Sequence, residues 1–376
     1  MAELSILIVC GAGYVSGKEI MTLELGKGLA EHGHSISFIT SSWNNGDFVN
    51  RLKRLGLHSF VLPIGFISAT LTKACLAMTG EQVWRWPSLL YGYWRVLHRV
   101  KPQKIIHTNW HHLLLLLPFL RRKSDLFWLH EVVPNLPQYR RVFGWFERRI
   151  EAFICVSNAV AQSLRQIGIC EDNIRVVHNG LTDPAGPLPR LESNCKQFRI
   201  GIVGQVIPFK GHSDLLDACG MVRRRHSNIE LHIFGTGDVP FRKELQRKAE
   251  ELGLAPFVIW HEFVNDRARI YGALDVCVIP SRGEEALGLT AIEAGFFALP
   301  VIASRRGGLP EIVQHGVNGL LVGAQRPIEI SEAICRLIEE PSCRLALAAN
   351  ARVRAMSIFG SDRFLMDFQK LLGARC

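Results

Sequence analysis

The sequence predicts an α/β protein made of two successive doubly wound domains. Strand-like apolar runs alternate with amphipathic helical stretches from "LSILIVC" onward, and the alternation restarts at "FRIGIVG" after a loop of Pro, Gly and Asp. Size agrees: 376 residues, 48% hydrophobic and 21% charged, bury a large core and suit two domains better than one.

In the first half, "LSILIVC" reads as a buried parallel strand, "GKEIMTLELGKGLAEHG" as the helix after it and "HSISFIT" as the next strand. "KIIHTN", "LFWLHE" and "EAFICVS" are further strands, helix "NAVAQSLRQIG" follows, and "IRVVHNG" closes the half. The stretch "LTDPAGPLPRLESN" has the composition of a linker. In the second half, strands "FRIGIVG", "IELHIFG", "FVIWHEF", "VCVIPS" and "PVIAS" alternate with helices "HSDLLDACGMVRRR", "VPFRKELQRKAEELG", "RARIYGAL" and "LTAIEAGFF". After "GLLV" the tail reads as helical throughout. Ligands of such sheets sit beyond the carboxyl ends of the strands, so the expected site is a cleft between two facing domains.

A net charge of +10 and a pI near 9.2 call for an acidic partner: nucleic acid, anionic lipid or a phosphorylated ligand. Basic residues mix with Trp and Tyr in "WRWPSLLYGYWRVLHRVKPQK" and "RRVFGWFERR", which suits a headgroup interface better than a base-reading surface. Peripheral association with an anionic membrane is therefore expected, and nucleic acid is not. The ten cysteines form no Cys-x-x-Cys pair and read as thiols of a reducing cytoplasm. The start "MAELSILIVC" reads as a first strand rather than a secretory signal, and "LLLLLPFL" is too short to span a bilayer.

The loop "CGAGYVSGKE" resembles two nucleotide-binding fingerprints and matches neither. Ala12 replaces the first glycine of a phosphate loop, Glu19 replaces the magnesium-binding hydroxyl, and Gly11, Gly13 and Gly17 have the wrong spacing for a dinucleotide turn. What remains is a permissive turn close to something that needs room.

Four segments at strand ends of the second half carry the chemistry. "VGQVIPFKGH" places Gly204 and Gln205 after a strand and Lys210 at the opening of a helix, a seat for a diphosphate. "FGTG" allows close backbone approach. "PSRGEEALGLTAIEA" puts Glu285 in a loop and Glu293 in the following helix, which Leu289 opens; two acceptor-only carboxylates without metal-ligand spacing suit polyol hydroxyls. "SRRGGLPE" sets Gly307 and Gly308 before a short helix, with N–H groups facing an anion and Arg305 and Arg306 beside them.

In this order and spacing, "VG…KGH", "FGTG", "PS…E-x7-E-A", "PVIAS" and "GGLPEIV…NGLLV" resemble the family 4 retaining glycosyltransferases of the GT-B fold, and "GKE", "EHGH", "LHE" and "VVHNGLTD" extend the likeness to the first half. The resemblance implies two Rossmann-like domains and a nucleotide-diphosphate sugar donor, UDP- or GDP-linked. It also implies transfer with retention to a glycan or lipid-linked acceptor, with no cofactor and no catalytic metal. It would seat the diphosphate on Lys210 and the backbone at Gly307 and Gly308, the ribose on Glu293 and the sugar on Glu285. His130 would approach the sugar, and Gly13 to Gly17 would line the phosphate and acceptor side. Gly204, Gln205 and Leu289 complete the expected donor-binding set, with Glu285, Lys210 and His130 as catalytic residues. The expected division is 1–190, an acceptor-side domain; 191–356, a nucleotide-sugar domain; and 357–376, a C-terminal helix packing back on the first.

Two departures stand out. Gln205 replaces an arginine usual in the family, with Arg282, Arg305 or Arg306 as candidate substitutes for its charge, and Leu287 stands where an aromatic is common. His107 and His111 imitate a metal pair, and "HEVVP" a zincin motif whose second histidine is Pro134. The expected protein is a cytoplasmic glycosyltransferase for surface polysaccharide at the inner membrane face. The alternatives are another GT-B enzyme, such as a sugar-nucleotide epimerase, and a non-catalytic nucleotide-sugar-binding protein.

Overall fold

Apolar runs of three to seven residues, too short for buried helices, become the strands of two parallel sheets. The computed structural model describes residues 3–11, 15–43, 45–65, 67, 73–183 and 197–373. The chain divides into two units, Met1–Gly180 with Phe364–Cys376, and Leu181–Arg363. Residues 184–196, most of the expected linker, lie outside the described residues.

The first unit holds β1 (Ser5–Val9), α1 (Gly17–Glu31), β2 (Ser35–Ser41), α2 (Asp47–Arg54), β3 (His58–Leu62), α3 (Lys73–Val100) and β4 (Lys104–His107). It continues with α4 (Trp110–Leu115), β5 (Asp125–Leu129), α5 (Pro137–Glu147), β6 (Ala152–Cys155), α6 (Asn158–Gln166) and β7 (Ile174–Val176). Its seven strands run β3-β2-β1-β4-β5-β6-β7. The central β1 is buried from Ile6 to Val9 because helices cover both faces. On one face Leu89, Tyr93, Val96 and Leu97 of α3 meet Leu7, Val9, Ile39 and Ile105 of the sheet.

Several elements of this unit were not expected from the sequence as such. The edge strand β3 is mostly half-buried, and α2 before it carries a basic last turn. The aromatic-basic stretch is one helix, α3, which continues through Pro87.

The second unit begins with β8 (Phe198–Val203), α7 (His212–Arg223), β9 (Ile229–Phe234), α8 (Val239–Glu251), β10 (Val258–His261), α9 (Arg267–Tyr271) and β11 (Val276–Ile279). It proceeds through α10 (Leu289–Phe296), β12 (Val301–Ser304), α11 (Leu309–Ile312), β13 (Gly319–Val322), α12 (Pro327–Glu339) and α13 (Pro341–Phe359), and the last helix described, α14 (Ser361–Gly373), starts in it. The strand order is β10-β9-β8-β11-β12-β13. Leu215, Leu216 and Cys219 of α7 and Ile330, Ile334 and Leu337 of α12 pack with Ile200, Ile202, Val276 and Ile302 in its core.

The helical tail ends in the first unit. From Phe364 onward α14 belongs there, and Phe364 and Phe368 pack on Trp128 of β5 with ring centroids 5.8 and 5.0 Å away. No helix among the described residues is long and apolar enough to cross a membrane.

Candidate active site

In the second unit the strand order reverses between β8 and β11, and the loops leaving their carboxyl ends meet there. After β8 come Gly204, Gln205 and the turn Pro208–Lys210; after β11 comes the loop carrying Glu285. Gly211 links the turn to α7 at φ 75°, where a Cβ would lie 1.9 Å from the Pro280 carbonyl oxygen. Only glycine allows that contact. Arg282 fastens the two loops. Its N–H donates to the Phe209 carbonyl at 2.9 Å, and its guanidinium donates to both Asp214 oxygens at 2.8 and 2.7 Å.

Held in this way, the Lys210 Nζ lies 2.6 Å from Glu285 Oε1, which also accepts from Ser281 Oγ at 2.5 Å. Lys210 stands at the end of a 3₁₀ turn, with Gly211 between it and α7. Neighbouring His212 is pushed down to about 4, first by burial and then by the Lys210 charge. An ammonium beside a mostly buried carboxylate is a pair that polyanion and polyol groups can engage together.

Glu293 sits on α10 and is oriented by α9, with Oε1 accepting from Arg267 Nε at 2.8 Å and Oε2 from Tyr271 Oη at 2.6 Å. Burial, followed by the Glu293 charge, holds the Tyr271 phenol well above its usual range, so it remains a donor. A carboxylate has about four acceptor positions, which leaves two for a vicinal diol. Leu289 opens this helix after Gly288.

After β12, Gly307 adopts φ 53°, and a Cβ there would fall 1.9 Å from the Glu285 carbonyl oxygen. The expected pair of anion-facing N–H groups divides in two. Gly308 donates to the Glu285 carbonyl at 2.8 Å, whereas Gly307 donates to Glu284 Oε2 at 2.5 Å. Two of the three candidate substitutes for charge at Gln205 are engaged as well: Arg282 is clamped by Asp214, and Arg306 Nη1 is 3.1 Å from Glu284 Oε1, while Arg305 is exposed. Gln205 itself is exposed. The "FGTG" segment docks on the turn after β8, where Val206 donates to the Thr236 carbonyl at 3.0 Å.

In the first unit the strand order reverses between β1 and β4. Gly17 opens α1, where Glu19 accepts from the Ser16 N–H at 3.0 Å; Gly13 lies outside the described residues. Lys18 Nζ is 3.4 Å from Glu19 Oε1, and its charge also acts on Cys10, His111, His112, His130 and Glu131. His130 follows β5 and is half-buried, with its Nε2 shielded and without a hydrogen-bond partner among the described residues. Burial and then Lys18 hold it well below its usual range, so it is a neutral imidazole at neutral pH. Its ring lies 4.3 Å from that of Trp128, the residue braced by α14.

Of the histidine pair that imitates a metal site, buried His107 turns its Nε2 to buried Asp125 at 2.7 Å, and the His111 ring stacks on Trp110 with centroids 3.6 Å apart. Among the described residues one cluster, His226, Cys335 and Glu339, has ligand atoms within 4.8 Å of one another. Arg225 already donates to the same Glu339 oxygen that His226 approaches, at 2.8 Å, and so neutralises it. The sequence reading singled out none of Asp214, Arg267, Tyr271, Ser281 and Glu284; Ser281 lies in the quoted "PS" stretch, and the spacing of the others carries no motif.

The family model described as "Glycosyl transferases group 1" matches residues 197–340, and that described as "Glycosyltransferase Family 4" matches residues 15–183. Among curated relatives, a D-inositol 3-phosphate glycosyltransferase of Corynebacterium kroppenstedtii is 32% identical over 177 residues, 45% of this chain and 39% of the relative. A GDP-mannose-dependent alpha-(1-6)-phosphatidylinositol monomannoside mannosyltransferase of Mycobacterium tuberculosis is 31% identical over 186 residues, 46% of this chain and 48% of the relative. The chain thus spans about half, or less, of the length of these two relatives. Anabaena HepE, crystallised with UDP and glucose, matches with a TM-score of 0.82 at 20% identity, over 99% of this chain and 100% of HepE. Sucrose-phosphate synthase of Thermosynechococcus elongatus matches with a TM-score of 0.80 at 19% identity, over 98% of each chain.

Proposed function

The chain belongs to glycosyltransferase family 4 and has the GT-B fold, and from that premise we propose that it transfers a hexose from a nucleotide-diphosphate sugar, with retention of configuration, to a glycan or lipid-linked acceptor. The observation that carries the reading is the meeting of Lys210 and Glu285 at 2.6 Å where the second sheet reverses its order. Lys210 neutralises the departing diphosphate, a charge that develops in the transition state and rewards a fixed cation. Glu293 accepts the ribose hydroxyls through the lone pairs that Arg267 and Tyr271 leave open. Glu285 accepts hydroxyls of the transferred sugar, and neutral His130 is the uncharged hydrogen-bonding group that the first unit contributes to the chemistry. The charge comes from Lys210, so the reading calls for no metal. A UDP- or GDP-linked donor is favoured by the relative named for GDP-mannose and by the neighbour crystallised with UDP and glucose.

The acceptor side includes the membrane in this reading. α3 presents Trp84, 85% exposed, with exposed Tyr91 and Trp94, and Arg95 lies over the Tyr91 ring. Exposed Trp145 of α5 has Arg148 and Arg149 close behind it. Such a face suits an anionic headgroup layer at the inner surface of the plasma membrane, where surface polysaccharide precursors are built.

A thermal-shift panel of UDP-, GDP- and ADP-sugars tests the donor, because a true donor stabilises by mass action. Indifference to all three would end the proposal. Neutral Gln205 favours the second reading, a nucleotide-sugar-binding protein without turnover; release of nucleoside diphosphate that depends on Lys210 and Glu285 decides against it. Co-sedimentation with anionic vesicles should weaken as salt rises, and vesicles that recover no protein at low salt would remove the membrane role.

A further inference from the structure

We propose that Glu284 is a built-in stand-in for the donor's diphosphate, and that binding displaces it and hands Arg306 and the Gly307 N–H to the phosphate oxygens. This rests on the donor reading above and adds a residue pair to it. The Glu284 carboxylate makes two contacts of the kind a phosphate makes: Oε2 accepts from the Gly307 N–H at 2.5 Å and Oε1 from Arg306 Nη1 at 3.1 Å. The Gly308 N–H is tied to the Glu285 carbonyl, so Gly307 is the donor of this glycine pair that faces an anion.

Three further observations favour exchange over a permanent pair. Glu284 and Arg306 are 47% and 41% exposed, the regime in which an ion pair contributes little and a competing dianion removes it easily. Arg306 Nε is shielded from solvent and has no hydrogen-bond partner among the described residues, so a carboxylate with two oxygens leaves this guanidinium incompletely used. An anion with more oxygens uses it better. Meanwhile Arg282, in the loop after β11, is locked on Asp214, and Gln205 brings no charge.

Position completes the case. The Glu285 side chain touches Lys210 while its backbone lies against Gly307, so one residue spans the two anion-binding points. Opening of Glu284 adds a second cation beside Lys210. The contact is therefore a gate as well as a pair: while closed, it screens the site from weaker anions.

The test is calorimetric titration of the full chain with inorganic pyrophosphate, UDP and GDP at fixed salt. Glu284→Gln should bind pyrophosphate and the preferred nucleoside diphosphate about five- to tenfold more tightly, and Arg306→Gln about tenfold more weakly. In the Arg306→Gln background, Glu284→Gln should gain much less, because the two residues share one contact. Glu339→Gln, which removes a negative charge from a surface pair of α12 instead, should leave all three affinities unchanged; an equal gain there would mean bulk charge and overturn the proposal. Unaltered affinities in Glu284→Gln and Arg306→Gln, with Lys210→Ala and Glu293→Ala still impaired, overturn the stand-in and leave the donor reading standing. A gain for pyrophosphate without one for either nucleotide also overturns it. If the parent chain binds none of the three ligands, both proposals fall.

Discussion

The carboxyl ends of the two sheets are furnished in opposite ways. In the second unit the groups are charged and cross-linked: Lys210 with Glu285, Arg267 with Glu293, Arg282 with Asp214 and Arg306 with Glu284. In the first unit Lys18 stands among imidazoles kept neutral by burial, His111, His112 and His130. The difference teaches where charge is meant to be met. Paired ions hold their positions until a charged ligand exchanges with them, whereas neutral rings offer hydrogen bonds without attracting a diphosphate.

Four experiments would break or sharpen this contrast, taken from the largest expected effect downward. Phe364→Ala removes the fully buried brace beneath Trp128 and should cost about 3–5 kcal/mol of stability by chemical denaturation. A loss below about 1 kcal/mol would deny α14 its part in the first unit. Lys210→Ala should lower turnover about 10²–10³-fold with a smaller change in donor KM, the signature of charge stabilised chiefly in the transition state. Unchanged turnover would remove the lysine from the mechanism.

The third concerns acid. His111 and His212 lie at about 4 in the folded chain and near 6.5 when unfolded, with His112 and His130 shifted in the same direction. Between pH 6.5 and 4 the unfolded chain therefore binds more protons, so the stabilisation is complete above pH 6.5 and drains away on acidification. The slope is at most about 1.4 kcal/mol per pH unit for each histidine. Denaturation midpoints that stay level from pH 7 to 5 would contradict buried neutral imidazoles. The fourth is Glu293→Ala, which should raise the donor dissociation constant about tenfold while changing turnover less, since ribose contacts exist in ground and transition states alike. A defect confined to turnover would reassign the residue.

What the sequence disclosed follows from the same physics. The positions of Lys210 and Glu285 in loops after buried strands, and of Glu293 within the following helix, were legible because strand, turn and helix each leave local marks. Their partners were not. Tyr271 and Arg267 reach Glu293 from 22 and 26 residues away, and Asp214 reaches Arg282 across 68, distances over which only the folded sheet sets proximity. Arg282 looked available in the sequence because its neighbours there are glycine and serine; the fold gives it to Asp214 instead. Strand β3 escaped notice because an edge strand with half-exposed positions has little apolar contrast. The composition of α3 suggested a headgroup surface, and its continuous helix through Pro87 was not expected.

The allegiance of α14 has a consequence for biosynthesis. The chain's earliest-made sheet keeps Trp128 waiting for aromatic partners encoded more than two hundred residues later, at Phe364 and Phe368. The first unit therefore gains this packing only after α14 has been synthesised.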